Sequence, residues 1–252
     1  MSVKWISHRG ESIDAPENTL AAFDLSRRRR TDGMECDVML SADGVVVISH
    51  DSSTARMGDR VLSIPDTPFA ELAQVNVSGA WCDSYPDQHL PSLADALPCL
   101  GDGREFFIEL KAGCSALVPA VRAVLRDHKM KPGSIVIISA DRELITLSKY
   151  EMPEFRALWL PGPYRSYTID ELIAELRDMK ADGVNASGSH EELLSSELVR
   201  RIHDLGMLAG VAVAEQPEQA RRFAAMGFDY ITSSRAARLR DMLVAGGEGK
   251  PF

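Results

Sequence analysis

Residues 134–160, SIVIISADRELITLSKYEMPEFRALWL, decide the fold. Ser134–Ile138 is a short β-branched run of strand type. Arg142–Tyr150 follows as a helical stretch, and Phe155–Leu160 reads as strand again. A strand, a helix and a further strand in succession place the two strands parallel in one sheet.

The same rhythm runs outward in both directions. Toward the C-terminus it predicts helix Ile169–Met179, strand Gly183–Ala186, helix Ser195–Leu205, strand Leu208–Val213, helix Pro217–Met226, strand Tyr230–Thr232 and helix Ala236–Val244. Toward the N-terminus it predicts helix Leu117–His128, strand Glu105–Leu110 and a short helix Leu93–Leu100. The chain opens with strand Val3–His8, helix Glu17–Arg29 and strand Gly33–Leu40. Val45–His50 is the second arm of a hairpin turned at Asp43-Gly44. With that arm set aside, eight strands alternate with eight helices. Within 252 residues, this favours closure into a (β/α)8 TIM barrel over an open sheet. No linker or short-period repeat interrupts it, so residues 1–252 read as one domain with a loose tail at Gly246–Phe252. Residues 51–90, with Pro65, Pro68, Pro86, Gly58 and Gly79, break the rhythm. They are too long for a routine connection and read as a functional insertion after the second strand.

Composition bounds the function. Apolar residues make up 45% and charged residues 26% of the chain, and the net charge is −9. An acidic protein repels nucleic acid and anionic membrane, so an anionic substrate needs a local attraction. The N-terminus MSVKWISHRG lacks a signal-peptide pattern, and no run of 18 apolar residues exists, so stable membrane insertion is not expected. Cys36, Cys82, Cys99 and Cys114 form no C-x-x-C pair and read as reduced thiols of a cytoplasmic protein.

Barrel active sites lie at the C-terminal ends of the strands, where this chain concentrates its charge. His8-Arg9 ends the first strand, Glu35-Cys36-Asp37 lies in the second, His50-Asp51 ends the hairpin arm and Glu109-Leu110-Lys111 ends the third. Residues two apart in a strand share a face. Glu35 and Asp37 pointing inward would turn Cys36 toward the helices, and Glu109 and Lys111 share a face likewise. Three carboxylates without thiolates suit one divalent cation, Mg²⁺, Ca²⁺ or Mn²⁺, rather than structural zinc. Such an ion, with Arg9 and Lys111, would hold a phosphate. His8 and His50 titrate near neutrality and suit proton transfer to and from the reacting oxygens.

His8-Arg9-Gly10, Pro16-Glu17-Asn18-Thr19, Glu35-x-Asp37, Asp43-Gly44, His50-Asp51, Leu90-Pro91-Ser92-Leu93 and Ile108-Glu109-Leu110-Lys111 occur in this order. The set resembles the glycerophosphodiester phosphodiesterase family over roughly the first 115 residues. The resemblance implies metal-dependent hydrolysis of glycerophosphodiesters to sn-glycerol 3-phosphate and an alcohol. It implies Glu35, Asp37 and Glu109 as ligands of one divalent ion, usually Mg²⁺ or Ca²⁺. It further implies His8 and His50 as the acid–base pair, Arg9 and Lys111 on the phosphate, and residues 51–90 as a cap on the site. The expected partner is a small-molecule phosphodiester, with nucleic acid excluded and a homo-oligomer left open.

The chain also departs from the family. Where members often carry Trp-Thr-Val-Asn, this chain has Val211–Glu215 with Ala212 at the tryptophan position. The usual Thr-Asp-x-Pro reads Thr232-Ser233-Ser234-Arg235, and the usual Arg-Thr-Thr reads Arg56-Met57-Gly58. The proposed metal and proton-transfer set is intact, whereas the alcohol side differs. Lysophospholipids or sugar-phosphate diesters are therefore alternative substrates, and a non-catalytic phosphate-binding barrel is the alternative of another class. Other residues have plainer readings. Asp51 orients a neighbour or caps a loop, and Glu17 and Asn18 organise the helix start. Trp81 and Tyr85 pack the insertion or line the pocket mouth, and Trp159 is core or substrate wall. Arg27–Arg30 is a solvated helix end. His89, His128, His190 and His203 read as surface.

Overall fold

The computed structural model describes residues 3–162, 166–190 and 192–244; the predicted loose tail lies outside them. The elements in chain order are β1 (Lys4–Ser7), α1 (Leu20–Arg28), β2 (Gly33–Leu40), β3 (Val46–Ile48), α2 (Phe69–Leu72), α3 (Leu93–Ala96), β4 (Glu105–Leu110), α4 (Leu117–Asp127) and β5 (Ile135–Ser139). They continue with α5 (Arg142–Glu151), β6 (Arg156–Trp159), α6 (Ile169–Asp178), β7 (Gly183–Ser187), α7 (Ser196–Asp204), β8 (Leu208–Ala212), α8 (Pro217–Met226), β9 (Tyr230–Ser233) and α9 (Ala236–Val244).

The strands pair in the order β1-β9-β8-β7-β6-β5-β4-β2, and β1 pairs with β2, closing a ring of eight parallel strands. This is the expected (β/α)8 barrel. β3 stands outside the ring, antiparallel to the end of β2 through Val38–Ile48 and Leu40–Val46. Local signals set the helix starts. Thr168 and Glu171 form a capping box on α6, and Asp141 accepts from the amides of Glu143 and Leu144 at α5. The predicted helix Leu93–Leu100 divides into α3 and a 3-10 turn at Leu97–Cys99, where Pro98 has no amide to continue the helix.

Strand parity sorts the core into two layers. Met34, Cys36, Val38, Phe106 and Ile108 face the helices in the larger core, and Ile6, Phe107, Val136, Ile138, Leu158 and Tyr230 fill the barrel interior. Residues 51–90 carry a core of their own. Ile64, Leu72, Val75, Val77 and Leu90 pack on Val47 of β3, so burial pins the insertion to the hairpin arm. Among the described residues, no helix is long and apolar enough to cross a membrane.

Candidate active site

Each charged side chain of the site is held by backbone register. Asp37 and Glu109 are partners across β2 and β4, and Lys111 donates its amide to Val38 O (3.1 Å). The Ser49 amide bonds Asp37 O (3.0 Å), which sets His50 beside the same strand, and the His8 amide bonds Ser233 O (2.9 Å). After β1 the chain turns sharply, with Arg9 at φ +55° and Gly10 at φ +80°. A Cβ at Gly10 would lie 2.5 Å from the Ala22 side chain, so only glycine lets this turn rest on α1.

Glu35, Asp37 and Glu109 each offer a carboxylate oxygen, all within 4.8 Å of one another. Their surroundings differ. Lys111 Nζ bridges Asp37 Oδ1 (3.0 Å) and Glu109 Oε1 (2.7 Å), and Arg9 Nε pairs with Asp37 Oδ2 (3.2 Å). Burial works to raise the pKa of Asp37, but Lys111, Arg9 and the Asn18 amide together hold it below the ordinary carboxylate value. Glu35 receives only the Arg9 amide on Oε2 (2.9 Å), and its buried Oε1 has no partner. Burial, then Asp37 and Glu109, push the Glu35 pKa well above normal. Burial and Asp37 likewise raise Glu109, against Lys111.

The two histidines sit in contrasting settings. His8 is lowered to about 4 by burial and by Arg9, so it is neutral at pH 7. Its Nδ1 lies 3.5 Å from Ser234 Oγ. His50 Nδ1 lies 2.7 Å from Asp51 Oδ1. Arg56, from the insertion, donates to Asp51 Oδ2 (2.6 Å) and to both oxygens of Glu17 (2.8 and 2.9 Å), and Glu17 accepts from Arg9 Nη1 (2.8 Å). A continuous chain of charge thus joins His50 to Asp37.

Of the seven residues singled out in the sequence, His8, Glu35 and Glu109 line one cavity at the C-terminal mouth, Asp37, Arg9 and Lys111 join them through ion pairs, and His50 lines a small neighbouring cleft with Glu17, Asn18, Asp51 and Arg56. A cavity of about 260 Å³ opens between His8, Glu35 and Glu109 on one side and Ile138, Ala140, Leu160, Pro161, Ala212 and Val213 on the other. Several plainer readings change. Thr19, not Glu17 or Asn18, caps α1. Asn18 is buried and donates to Asp37 Oδ2 (2.9 Å), while Glu17 serves Arg9 and Arg56. Trp159 belongs to the core, with Nε1 on Ala140 O (3.2 Å) and its ring edge-on to Tyr167. Arg27 and Arg28 pair with Asp24 as a solvated helix end, but Arg29 reaches the buried Glu11 (3.0 Å). His128 and His203 are exposed, whereas His190 is half-buried with its Nε2 shielded from solvent. Trp81 and Tyr85 are half-buried and line neither the cavity nor the insertion's core. Sequence reading passed over Asn185 and met Thr232 only as part of an altered motif; both line the cavity. Their signal was inward parity in strands whose outward positions are Val184, Ala186 and Ile231.

Residues 8–237 match the glycerophosphoryl diester phosphodiesterase family. The chain is 23% identical over 218 residues to the glycerophosphodiester phosphodiesterase of Bacillus subtilis, covering 81% of this chain and 73% of that one. It is 32% identical over 138 residues to the bovine glycerophosphodiester phosphodiesterase 1, covering 53% of this chain and 42% of the relative. The chain spans less than half the length of the mammalian relatives it matches. Among solved structures, an Oleispira antarctica phosphodiesterase in complex with the product sn-glycerol-3-phosphate superposes with a TM-score of 0.85. That match is 26% identical and covers 97% of both chains. The sequence motifs, the closed barrel and this match over nearly its whole length agree: the chain belongs to the glycerophosphoryl diester phosphodiesterase family and is a phosphoric diester hydrolase.

Proposed function

We propose that the protein hydrolyses glycerophosphodiesters to sn-glycerol 3-phosphate and an alcohol, using one divalent cation and the pair His8 and His50. The convergence of Glu35, Asp37 and Glu109 beside His8 carries this reading. The donor set fits a hard cation: three carboxylates, no thiolate in the cluster, and a buried Glu35 Oε1 that lacks any partner. Mg²⁺ or Ca²⁺ suits it, with Mn²⁺ an acceptable substitute. When bound, the ion supplies positive charge to the phosphate and to charge developing in the transition state.

The chain's own residues supply the rest. Lys111 Nζ has three N–H donors, of which Asp37 and Glu109 take two, leaving one for a phosphate oxygen. The Arg9 guanidinium, anchored by Glu17 and Asp37, presents a planar fork suited to the same phosphate. His8 is neutral at pH 7 and therefore available to accept a proton from the attacking water as its oxygen bonds to phosphorus. Asp51 holds His50 Nδ1 and so leaves Nε2 for the other transfer, to the departing alcohol. The relative bound to sn-glycerol-3-phosphate supports the glycerol phosphate product.

Turnover of sn-glycero-3-phosphocholine with Mg²⁺, Ca²⁺ and Mn²⁺, followed as glycerol 3-phosphate release, tests the reading. Full activity in excess chelator, or in Glu35→Ala, would overturn the metal-dependent mechanism. The apolar wall from Ile138 to Val213 favours a second reading, lysophospholipids as substrates, which the same assay with a lysophospholipid distinguishes.

A further inference from the structure

His8 is fixed by its backbone before its ring is considered. Its amide donates to Ser233 O (2.9 Å), and its carbonyl accepts from Ser12 Oγ (2.8 Å). The ring then meets Ser234, whose Oγ lies 3.5 Å from His8 Nδ1. That separation is long for a hydrogen bond, but contacts at catalytic groups often tighten only when substrate is bound. His8 lines the cavity, whereas Ser234 does not. With Nδ1 turned to Ser234, Nε2 at the far end of the ring is the nitrogen left for the cavity.

The serine is itself held in place. Ser234 follows β9, and its amide donates to Glu215 Oε1 (3.1 Å) from the loop after β8. Its carbonyl accepts from the Ile13 amide (3.0 Å). The other Glu215 oxygen stands 3.6 Å from Arg235 Nε, which offsets its charge. Glu215 and Ser234 fall in the two stretches where the chain departs from its family, Val211–Glu215 and Thr232–Arg235. The two altered stretches therefore meet at His8.

Proton transfer sets what this contact must do. A neutral imidazole carries hydrogen on one nitrogen and a lone pair on the other. To take a proton from water at Nε2, His8 must carry its hydrogen on Nδ1, and Ser234 Oγ is the acceptor within reach. Once Nε2 is protonated, both nitrogens are donors, so the same bond persists and becomes charge-assisted. We infer that Ser234, anchored by Glu215, is a positioning residue that holds His8 in the Nδ1–H tautomer and leaves Nε2 free for the attacking water. His50 is oriented differently, with its Nδ1 on the Asp51 carboxylate (2.7 Å). A neutral hydroxyl suits a ring that must start as the free base, because it does not favour the imidazolium in advance. The inference rests on the phosphodiesterase reading above and adds the residue that makes His8 fit for its task.

Long-range proton–nitrogen NMR of the whole chain, labelled with nitrogen-15 histidine, reads the tautomer of each ring at pH 7, and His8→Asn identifies the His8 signal. Free imidazole side chains favour hydrogen on Nε2. The wild type is expected to show His8 with hydrogen on Nδ1, and Ser234→Ala to return it to the Nε2–H form. In saturating Mg²⁺, Ser234→Ala is expected to lower kcat on sn-glycero-3-phosphocholine roughly tenfold or more, with KM within about twofold, as for a lost hydrogen bond to a group that becomes charged. Ser234→Thr, which keeps a hydroxyl, is expected to recover the Nδ1–H form and most of kcat. Glu215→Leu is expected to slow turnover on its own and to add little to Ser234→Ala, because it acts through the serine. A wild-type His8 with hydrogen on Nε2, a Ser234→Ala variant that keeps both tautomer and kcat, or strictly additive losses would overturn the inference. An Nδ1–H His8 that Ser234→Ala releases, in a protein that cleaves no ester, supports the hold on His8 and refutes only the phosphodiesterase reading.

Discussion

Lys111→Met separates the electrostatic role of this lysine from its packing. Lys111 bridges Asp37, 1% exposed, and Glu109, 18% exposed, and is itself 23% exposed. Removing one partner of a fully buried pair costs about 3–5 kcal/mol. Lys111 stands partly in water and Arg9 remains on Asp37, so roughly 2 kcal/mol is expected here. For a chain of this size that corresponds to a Tm lower by about 4–8 °C in chelator. Saturating Mg²⁺ would return positive charge to the same carboxylates and shrink the gap to under about 1 kcal/mol. Activity on sn-glycero-3-phosphocholine, by contrast, is expected to stay about 100-fold down if Lys111 contacts the phosphate as proposed. Thermal and urea unfolding of both proteins, with chelator and with Mg²⁺, measure this. An equal stability loss under both conditions would refute the electrostatic account and assign the lysine to packing.

Arg56→Met breaks the link between Asp51 and Glu17, both partly solvated, so stability should change by less than about 1 kcal/mol. The kcat is expected to fall about five- to tenfold, and combination with Asp51→Asn should be clearly less than additive; strictly additive rate losses would sever the chain from Arg56 to His50. His8 sets a pH dependence. Its folded pKa, about 4, lies below its unfolded value of 6.5, so the folded chain binds fewer protons between these values and stability falls as pH drops through that window. Allowing for screening at the cavity mouth, roughly 2 kcal/mol of the acid loss by pH 4 should disappear in His8→Asn; urea titrations in chelator at neutral and acid pH would detect an unchanged slope.

The barrel was legible because each strand–helix unit carries its own local signal. β2, α8 and α9 appear at the predicted residues, and closure follows from the number of units. The charged half of the site was legible for a related reason. Carboxylates two apart in a strand must share a face, and burial makes such charges conspicuous. The rest depends on contacts that no spacing encodes. Arg56 reaches Glu17 across 39 positions, along a path fixed by the insertion's packing on Val47. Asn18 looked like a cap because its neighbour Thr19 is one; only the approach of α1 to β2 turns its amide onto Asp37. Asn185 was hidden because a neutral polar residue in a strand is unremarkable until its missing partner is seen.

Charge bookkeeping explains why the two halves of the cavity differ. Glu35, Asp37 and Glu109 carry three formal negative charges against two positive charges on Arg9 and Lys111, leaving −1. A bound divalent ion would turn this to +1, opposite in sign to a singly charged phosphodiester, inside a chain whose net charge of −9 would otherwise repel it. The two protein cations are unevenly spent: both go to Asp37, one of them shared with Glu109, while Glu35 keeps a bare oxygen. Glu35 is therefore the carboxylate that gains most from an added cation. Attraction of this kind holds any phosphate ester and distinguishes none of them. The uncharged lining differs in kind: Asn185, Ala212 and Thr232 of β7, β8 and β9 face the same cavity and carry no formal charge. Under the proposed function, the charged half would hold the phosphate, and any preference among esters would have to arise on the uncharged half.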